Sequence, residues 1–277
     1  MDMPGASLAI WREAPSLDGL RTAALGAFSC DGQQAGERLL CEACARLEAE
    51  GFARVLGPMD GDTWSKHRFV VEGDGRPPFL MEPENPAHYP AAFDAAGFTV
   101  VARYFSSEGP NGVPAHDGAR PSGLRIRNFD PAKAEDELRS LHALGLEAFA
   151  RNAFFVPISF EKFLALYRPI LPRMDPELIF MADDEAGRLC AFVFAIPDWN
   201  EGSNPKSVIV KTYASRVKGA GWMLGHAFFD RFREKGFTRA IRALMHDENI
   251  SAKYALDIGS KVFRRYALWG WASRKLA

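Results

Sequence analysis

The sequence predicts a mixed α+β fold made of two copies of one strand-and-helix unit. Segments with a two-residue apolar period alternate with segments whose apolar residues recur every three or four positions, as in strands that alternate with helices. Two stretches also match without a gap when one is shifted onto the other by a constant offset of 185. With 277 residues, of which 47% are hydrophobic, the chain is long enough for one large domain or two ordinary ones.

The clearest match joins the end of a helix to the start of a strand. The motif Gly-Phe-x-Arg occurs at 51–54 and again at 236–239, followed each time by an apolar strand. The same offset of 185 lays TAALGAFSCDGQQAGERLL, residues 22–40, on SVIVKTYASRVKGAGWMLG, residues 207–225. Each of these stretches predicts a strand, a loop that ends in Ala-Gly, and a helix.

A further match closes the unit. Arg-Tyr follows Gly97 at 103–104 and follows Gly259 at 265–266 with the same spacing. Because this offset is 162 rather than 185, the first copy carries about 23 extra residues, which we place in GDTWSKHRFVVEGDGRPPFL. The repeated unit is therefore strand, loop, helix, strand, short helix, strand.

The two copies differ in what precedes the repeated unit. The second begins with a strand, one or two helices and a hairpin, whereas the first has only the strand SLAIWREAP. Residues 106–123, rich in Gly, Pro and Ser, are typical of a linker. We place the boundary near Gly118, which gives domains 1–117 and 118–277.

Composition argues against several classes of partner. With 34 basic and 35 acidic residues, the net charge of −1 gives no global attraction for nucleic acid or an anionic membrane. No apolar run approaches the roughly 20 residues of a membrane span, and the N-terminal residues lack a signal-peptide pattern, so we expect a cytoplasmic protein. The expected reduced cysteines are Cys30, Cys41, Cys44 and Cys190. Cys41 and Cys44 form a C-x-x-C without a second pair, so no metal site is predicted.

The loop SRVKGAGWMLG, residues 215–225, has the composition of an anion cradle. It connects an alternating strand to a helix with an apolar stripe, so unpaired N–H groups and the positive end of the helix dipole meet there. Arg216 and Lys218 add positive charge, and the glycines permit close approach, which favours a phosphate or pyrophosphate. The alternative is an ordinary strand-to-helix turn.

The first copy provides an internal comparison for this loop. At the positions of Arg216, Lys218 and Gly219 it has Asp31, Gln33 and Gln34. An acid removes the attraction for an anion, and a side chain at the glycine position obstructs its approach. We therefore expect only the second copy to bind phosphate.

Two other phosphate-binding loops fit poorly. Gly219-x-Gly221-x-x-x-Gly225 followed by Asp247 is similar to a dinucleotide fingerprint, but the segment 248–277 that follows is too short for the remaining strands of that fold. A nucleoside triphosphatase loop ends in Gly-Lys-Ser/Thr, which is missing here.

The pattern Arg216-x-x-Gly219-x-Gly221 resembles the acyl-CoA pyrophosphate loop of GNAT-superfamily N-acetyltransferases. The order of elements over residues 123–271 is similar to that fold, and Asn-Ile-Ser-Ala at 249–252 resembles the Asn-x-x-Ala segment that lines the CoA arm. Residues 7–105 resemble a truncated second unit. The resemblance implies a tandem GNAT-like fold in which each copy has a central mixed, mostly antiparallel sheet flanked by helices.

The resemblance also implies a cofactor and its binding residues. The cofactor is acetyl-CoA or CoA, as acyl donor. Val210 and Thr212 on the splayed strand would pair with the pantetheine arm, and Asn249 would line it. The pyrophosphate would lie on Arg216 and the loop N–H groups of Val217, Lys218, Gly219, Ala220, Gly221 and Trp222.

The reaction implied is direct attack of an amine, from a small molecule or a peptide, on the thioester. It needs a base, for which the candidates are His246 and Glu147. Each also has an ordinary interpretation, as a solvated strand-end histidine and a surface helix residue. The Tyr that protonates the thiolate in the family is replaced by Leu256, and Tyr254 lies two residues early.

The acceptor side is less defined. Phe154, Phe155 and Trp199 are candidates for pocket walls, although core packing is the simpler use of each. The charged residues between 60 and 68 either form a turn and a mixed-charge edge strand, which we favour, or reach over the second copy and complete the acceptor site.

Three functions remain open from the sequence. They are an acyltransferase, a non-catalytic acyl-CoA-binding or scaffold protein, and a Fem-type aminoacyl or peptidyl transferase, against which the low net charge argues. The sequence leaves open whether the chain forms a homo-oligomer.

Overall fold

The structure is a computed structural model that describes residues 1–109, 111–113 and 121–275. The strands are β1 Asp2–Met3, β2 Ala6–Trp11, β3 Thr22–Cys30, β4 Arg54–Gly57, β5 Phe69–Gly73, β6 Thr99–Glu108, β7 Arg125–Asn128, β8 Ile179–Asp183, β9 Leu189–Pro197, β10 Ser207–Ser215, β11 Arg239–His246 and β12 Lys261–Ala272. The helices are α1 Gln33–Ala49, α2 His88–Ala95, α3 Ala134–Phe149, α4 Phe160–Tyr167, α5 Ala220–Glu234 and α6 Ile250–Asp257.

All twelve of these strands belong to one sheet. Its order is β1-β2-β3-β4-β12-β6-β11-β10-β9-β8-β7, and β5 pairs with β12 beside this path. Within the described residues, β3 with β4 and β10 with β11 are parallel, and the other pairs are antiparallel. The predicted fold class, a mixed and mostly antiparallel sheet flanked by helices, is confirmed.

The centre of the sheet is built by an exchange of strands between the N-terminal half, residues 1–109, and the C-terminal half, residues 121–275. β6, the last strand of the N-terminal half, lies between β12 and β11 of the C-terminal half. β12 in turn lies between β4 and β6 of the N-terminal half. Backbone hydrogen bonds therefore run without a break across both halves.

The register of the exchanged strands follows the two sequence offsets. Tyr104 lies opposite Tyr266, its own counterpart at the offset of 162. On one side of this pair Ser107 lies opposite Arg242, and on the other side Gly57 lies opposite Trp269. Trp269 is the counterpart of Ser107 at the offset of 162, and Arg242 is the counterpart of Gly57 at the offset of 185. The two halves thus pair around a local twofold axis at the tyrosine pair.

Separate apolar clusters fill the two faces of the sheet. In the N-terminal half, α1 and α2 cover a cluster that includes Leu39, Phe93 and the exchanged Trp269. In the C-terminal half, α3 and α4 pack on one face and α5 packs on the other. The apolar stripe of α5 contributes Leu224, Phe228, Phe229 and Phe232, as its spacing predicts.

The structure corrects one local prediction. The Ala-Gly pairs at 35–36 and 220–221 do not end loops, because α1 already begins at Gln33 and α5 begins at Ala220. Gly36 is buried in the helix, where an added Cβ would lie 2.8 Å from Ala92 Cβ. Gly219 is instead the N-cap residue of α5, with a left-handed φ of 86°. The two glycine loops therefore differ in backbone conformation as well as in charge.

The predicted boundary near Gly118 lies outside the described residues. Across the part of the chain that the structure describes, no helix has both the length and the apolar content of a membrane span. All four cysteines are free, with Cys41 exposed and Cys44 buried. The described residues contain no group of three or more His, Cys, Asp and Glu side chains arranged to hold a metal ion.

Candidate functional site

The central feature of the C-terminal half is a divergence of two parallel strands. β10 pairs with β11 only along 207–210, against 239–242, and the rest of both strands continues without mutual pairing. On its other side β10 stays paired with β9, with a bulge between Val210 and Thr212 that leaves Lys211 as the extra residue. The result is a gap between 211–215 and 243–246 into which main-chain groups of β10 open.

Both strand residues predicted for the pantetheine arm lie at this gap. Val210 is the last residue of β10 that pairs with β11, and Thr212 is the first after the bulge. The Thr212 side chain hydrogen-bonds the half-buried Tyr167 on α4, and burial of the phenol raises its pKa to about 12. The arrangement places both residues beside the open edge, and their role stays a prediction.

The loop that precedes α5 offers fewer free main-chain N–H donors than the sequence predicts. Among the six predicted N–H donors, Val217 donates to Ser215 Oγ at 3.1 Å, Ala220 to Val217 O at 3.2 Å and Trp222 to Gly219 O at 3.1 Å. Lys218 N and Gly219 N have no acceptor among the described residues. The turn closes on itself, so two main-chain donors rather than six are directly available.

Tyr213 occupies the space beside Gly221. The Gly221 backbone hydrogen-bonds the Tyr213 hydroxyl, which also bonds Ser215. A Cβ added at Gly221 would collide with the Tyr213 hydroxyl and lie 2.6 Å from Cζ. Glycine is needed here because a tyrosine of the neighbouring strand approaches the backbone, which the loop pattern alone does not reveal.

Arg216 and Glu147, predicted for different tasks, form an ion pair. Arg216 Nη2 lies 3.1 Å from Glu147 Oε2, whose side chain is 55% exposed. Arg216 Nε is buried and has no hydrogen-bond partner among the described residues. A buried donor without an acceptor is costly, and the role of Arg216 stays a prediction. Lys218 is exposed, and Ala220 is buried in the α5 core.

His246 lies at the end of β11, half-buried against the Tyr104 ring at 5.0 Å. Burial lowers the pKa of His246 below its ordinary value of 6.5. Its Nδ1 accepts a hydrogen bond from the Glu248 N–H at 3.2 Å. The neutral ring therefore carries its proton on Nε2, which has no hydrogen-bond partner among the described residues. To act as a base, the ring would have to change tautomer.

The part of α6 around Leu256, the position at which the family has its proton-donating Tyr, is exposed. Asn249 is the N-cap residue of α6 but makes no side-chain capping bond, so its amide is available. Leu256 is 49% exposed and Tyr254 is 43% exposed. Partial burial raises the pKa of Tyr254 and the neighbouring charge of Arg242 opposes this. Within the described residues of α6, no phenol stands at the position of the family's tyrosine.

The segment from Asp60 to Glu82 crosses from the N-terminal half onto the C-terminal half. Trp64 Nε1 donates to Val156 O at 2.9 Å, and its ring lies 5.9 Å from that of Phe155. The buried Asp62 pairs with Lys162 on α4. The predicted strand is present as β5, which lies off the main strand path and pairs only with β12 among the described strands, and most of its residues are exposed. The loop before it also contacts the other half, as the alternative interpretation expects, but its part in an acceptor site stays a prediction.

The predicted aromatic residues lie in different places. Phe155 packs beside Trp64 over the second half, and Phe154 packs with the cluster around Tyr104. Trp199 lies away from both and donates from Nε1 to Arg173 O at 3.0 Å.

Among the described residues, two cations lie at the gap: Arg68, which belongs to the charged segment 60–68 singled out in the sequence, and Lys211, which sequence reasoning missed. Arg68 donates to Leu244 O at 2.9 Å, contacts His67, and stacks 4.1 Å above the Tyr104 ring. Burial lowers the pKa of Arg68 to about 10, and burial together with the charge of Arg68 lowers the pKa of Lys211 to about 8. A lysine inside the apolar strand SVIVKTYA was the available signal for Lys211.

Comparison with protein-family models gives no match to this chain. A search of curated proteins also gives no match.

Solved structures do match across nearly the whole chain. A GCN5-related N-acetyltransferase from Sphaerobacter thermophilus is 15% identical with a TM-score of 0.56, over 96% of this chain and 76% of the other. A tandem GNAT protein from the clavulanic acid biosynthesis pathway is 14% identical with a TM-score of 0.53, over 97% and 79%. A conserved protein of unknown function from Enterococcus faecalis V583, a probable N-acyltransferase, is 9% identical with a TM-score of 0.58, over 97% and 59%. The chain has the GNAT fold.

Proposed function

We propose that this chain is an acyltransferase that transfers an acetyl or other acyl group from acyl-CoA to an amine of a small molecule or peptide. The observation that carries the proposal is the gap between β10 and β11, which opens beside the Gly219 loop. In the GNAT fold, this is where a donor arm would find unpaired strand edges and a helix N-terminus. Bound acyl-CoA would supply the activated thioester carbonyl.

The loop residues suit the anionic part of this donor. Arg216 Nε is buried without a partner, and the Lys218 and Gly219 N–H groups have no protein acceptor among the described residues. Val210, Thr212 and Asn249 border the remaining path. The other predicted loop positions, Val217, Ala220, Gly221 and Trp222, shape the turn through their own bonds and packing.

We infer that the fold arose from two copies of one unit, with domains 1–117 and 118–277. The offsets of 162 and 185 that relate the sequence motifs also relate the paired positions in the exchanged strands. Such agreement between local motifs and long-range register supports a duplication. The donor site belongs to the second copy.

A non-catalytic acyl-CoA-binding protein is the second candidate. It is favoured by Leu256, which stands where the family has its proton-donating Tyr. It is also favoured by His246, because Nε2 of the neutral ring is a donor rather than a base. Catalysis with such a site would require the amine to lose its proton to water or to a rearranged His246.

The donor proposal is tested by thermal-shift titration with CoA and acetyl-CoA. A ligand that binds the native state raises Tm, so we expect a concentration-dependent increase. Gly219→Gln, which introduces the residue of the first copy, should abolish the increase. Gly236→Gln is the matched control, because Gly236 also has a left-handed φ, of 74°, with open space around it. An unchanged shift in Gly219→Gln would remove the loop from the site.

Thiol release from acetyl-CoA with a panel of amines then separates enzyme from binder. Amine-dependent release is expected from the acyltransferase, and a Tm increase without release would identify the binder. His246→Gln and Glu147→Gln test the two predicted bases, since loss of the base should lower kcat about 100-fold.

A further inference from the structure

Two positively charged side chains meet where β10 and β11 separate, one from each half. Lys211 sits on the bulge of β10, and its Nζ contacts only the weakly accepting Met81 Sδ among the described residues, at 3.4 Å. Arg68 comes from the crossing segment and is held by Leu244 O and the Tyr104 ring. Each side chain is half-buried, so it is enclosed by protein yet reached from the gap.

Neither cation has an acidic partner in the part of the chain that the structure describes. There, no Asp or Glu oxygen lies within ion-pair distance of Lys211 or Arg68. Two other enclosed cations among the described residues do have acidic partners: Arg264 pairs with Glu82 at 3.3 Å, and Arg127 pairs with Glu137 and Asp183. Enclosed basic side chains are rarely left without a counter-charge. The Arg68–Lys211 pair is an exception that needs a cause.

The two charges also oppose each other. After burial, the charge of Arg68 is the next cause that lowers the pKa of Lys211, and the charge of Arg68 contributes likewise at His246. The contacts agree with this, because Arg68 and His246 both lie against the Tyr104 ring, and Arg68 bonds Leu244 O on β11, the strand across the gap from Lys211. An anion placed between Arg68 and Lys211 would supply the acceptor that Nζ lacks and would relieve the repulsion.

The position of the pair separates it from the phosphate cradle. The Gly219 loop and α5 belong to the face of the sheet whose core contains Leu224 and Phe228. The segment that carries Met81 packs through Phe79 and Leu80 into the opposite cluster, with α3 and α4. An anion at Lys211 would therefore approach from the α3 and α4 side of the sheet.

We propose that Arg68 and Lys211 form the subsite for an anionic group of the acceptor, so that the preferred acceptor is an amine carrying a carboxylate or phosphate. This inference rests on the proposed acyl transfer. The N-terminal half then contributes directly to acceptor selection through Arg68. The anion would hold the amine beside the end of β10, and the two subsites would act on opposite ends of the gap.

The subsite is tested first by equilibrium binding, without turnover. Inorganic phosphate and succinate are titrated calorimetrically at constant ionic strength, with saturating CoA present so that the Gly219 loop is occupied. We expect binding that weakens at least tenfold in Lys211→Met and in Arg68→Gln. Lys66→Met is the matched control, since Lys66 is an exposed lysine of the same crossing segment. Equal affinity in all four proteins would overturn the proposal.

Matched acceptors then test selection and distinguish the source of the anion. Glycine is compared with glycinamide, and phosphoethanolamine with ethanolamine, by thiol release from acetyl-CoA. We expect kcat/KM to be at least tenfold higher for the anionic member of one pair, which names the preferred anion. In Lys211→Met and Arg68→Gln this preference should fall to less than threefold.

The outcomes for the two proposals are separable. Transfer to amines without any preference for the anionic member would overturn the subsite and leave acyl transfer standing. Absence of transfer to every amine would overturn acyl transfer, while the calorimetric result would still decide whether Arg68 and Lys211 bind an anion. If Arg68→Gln fails to fold, Lys211→Met alone carries both tests, because Met matches the enclosed stem of lysine.

Discussion

The two halves contain the same divergence of parallel strands, and they treat it differently. β3 pairs with β4 only at 22–24 against 54–56, as β10 pairs with β11. In the N-terminal half, the chain that leaves β4 fills the opening: Met59 N donates to Leu25 O and Asp60 Oδ1 accepts from Ala27 N, both at 2.7 Å. In the C-terminal half, the described residues give the corresponding opening beside Lys211 no such cover.

Where two parallel strands diverge, their main-chain groups lose their partners, which costs stability. The N-terminal half covers these groups, and the described residues of the C-terminal half leave them uncovered. Gly26 is the counterpart of Lys211 at the offset of 185, and a Cβ at Gly26 would collide with Asp60 Oδ1 and lie 2.5 Å from Met59 O. In the N-terminal half, internal hydrogen bonds therefore occupy the place where the C-terminal half has Lys211. The C-terminal half retains unpaired main chain and an unneutralised lysine, which cost stability and leave room for a ligand.

The largest expected effect comes from disturbing the filled opening between β3 and β4 in the N-terminal half. Gly26→Ala should destabilise the fold by about 3 kcal/mol, because backbone atoms of Met59 must move. Tm should fall by roughly 6 to 10 °C in calorimetry, while the Tm increase with CoA stays the same. Gly112→Ala, at a glycine with open surroundings, is the control and should be neutral. A loss of the CoA effect in Gly26→Ala would show that the filled opening takes part in donor binding.

Removing the charge of Lys211, beside the gap between β10 and β11, should stabilise the protein. The pKa of Lys211 falls from its ordinary 10.5 to about 8 on folding. Below pH 8 the lysine is charged in both the folded and the unfolded state, so the full free-energy cost of burying its charge is present. Between pH 8 and 10.5 the unfolded chain binds more protons than the folded one, so this cost decreases as pH rises. Because Lys211 is half-buried rather than fully buried, we expect Lys211→Met to gain about 1 kcal/mol at pH 7, measured by denaturant unfolding.

The same experiment has a distinctive pH dependence. The difference between wild type and Lys211→Met should shrink toward zero near pH 10.5. Lys66→Met should show no difference at any pH. A Lys211→Met protein that is less stable at pH 7 would mean that the ammonium group is already satisfied in the folded state.

A smaller effect is expected at the donor loop. Tyr213→Phe removes the hydroxyl that engages the Gly221 backbone and Ser215, which frees a third main-chain donor. We expect CoA to bind about threefold more tightly, measured by calorimetry. Tyr254→Phe, which changes a partly exposed tyrosine on α6, should have no effect. Weaker binding in Tyr213→Phe would assign the hydroxyl itself to the ligand.

The smallest expected effect concerns the ion pair between Arg216 and Glu147. Glu147→Gln should strengthen CoA binding about twofold, because an exposed carboxylate that competes for Arg216 is removed. Glu135→Gln, which breaks an exposed pair with Arg139 on the same helix, is the control. A fall in transfer rate with unchanged CoA affinity would instead support Glu147 as the base.

Much of the fold is predictable because its signals are local. The Gly-Phe-x-Arg motif marks a helix end and a strand start in both halves, and the structure has α1 before β4 and α5 before β11. The exchange of β6 and β12 is not predictable from these signals. An alternating pattern indicates a strand but not its neighbours, and Tyr104 finds its partner, Tyr266, near the other end of the chain.

The site is predictable only in part, for a related reason. Gly219 is recognisable because a left-handed N-cap requires glycine. The pairing of Arg216 with Glu147, the contact of Tyr213 with Gly221, and the approach of Arg68 to Lys211 all depend on tertiary packing. A charge pattern along the chain cannot show which charges remain without a partner.

The exchanged strands also set the order in which this molecule can fold. Within the described residues, β6 pairs with no strand of its own half, and β4 reaches β6 only through β12. The middle of the sheet therefore closes after the most distant segments have met, which raises contact order and slows folding. Until then the edges of β4 and β6 are open to other chains. For the same reason, neither half can be transplanted as a module, and the protein must be engineered as a whole.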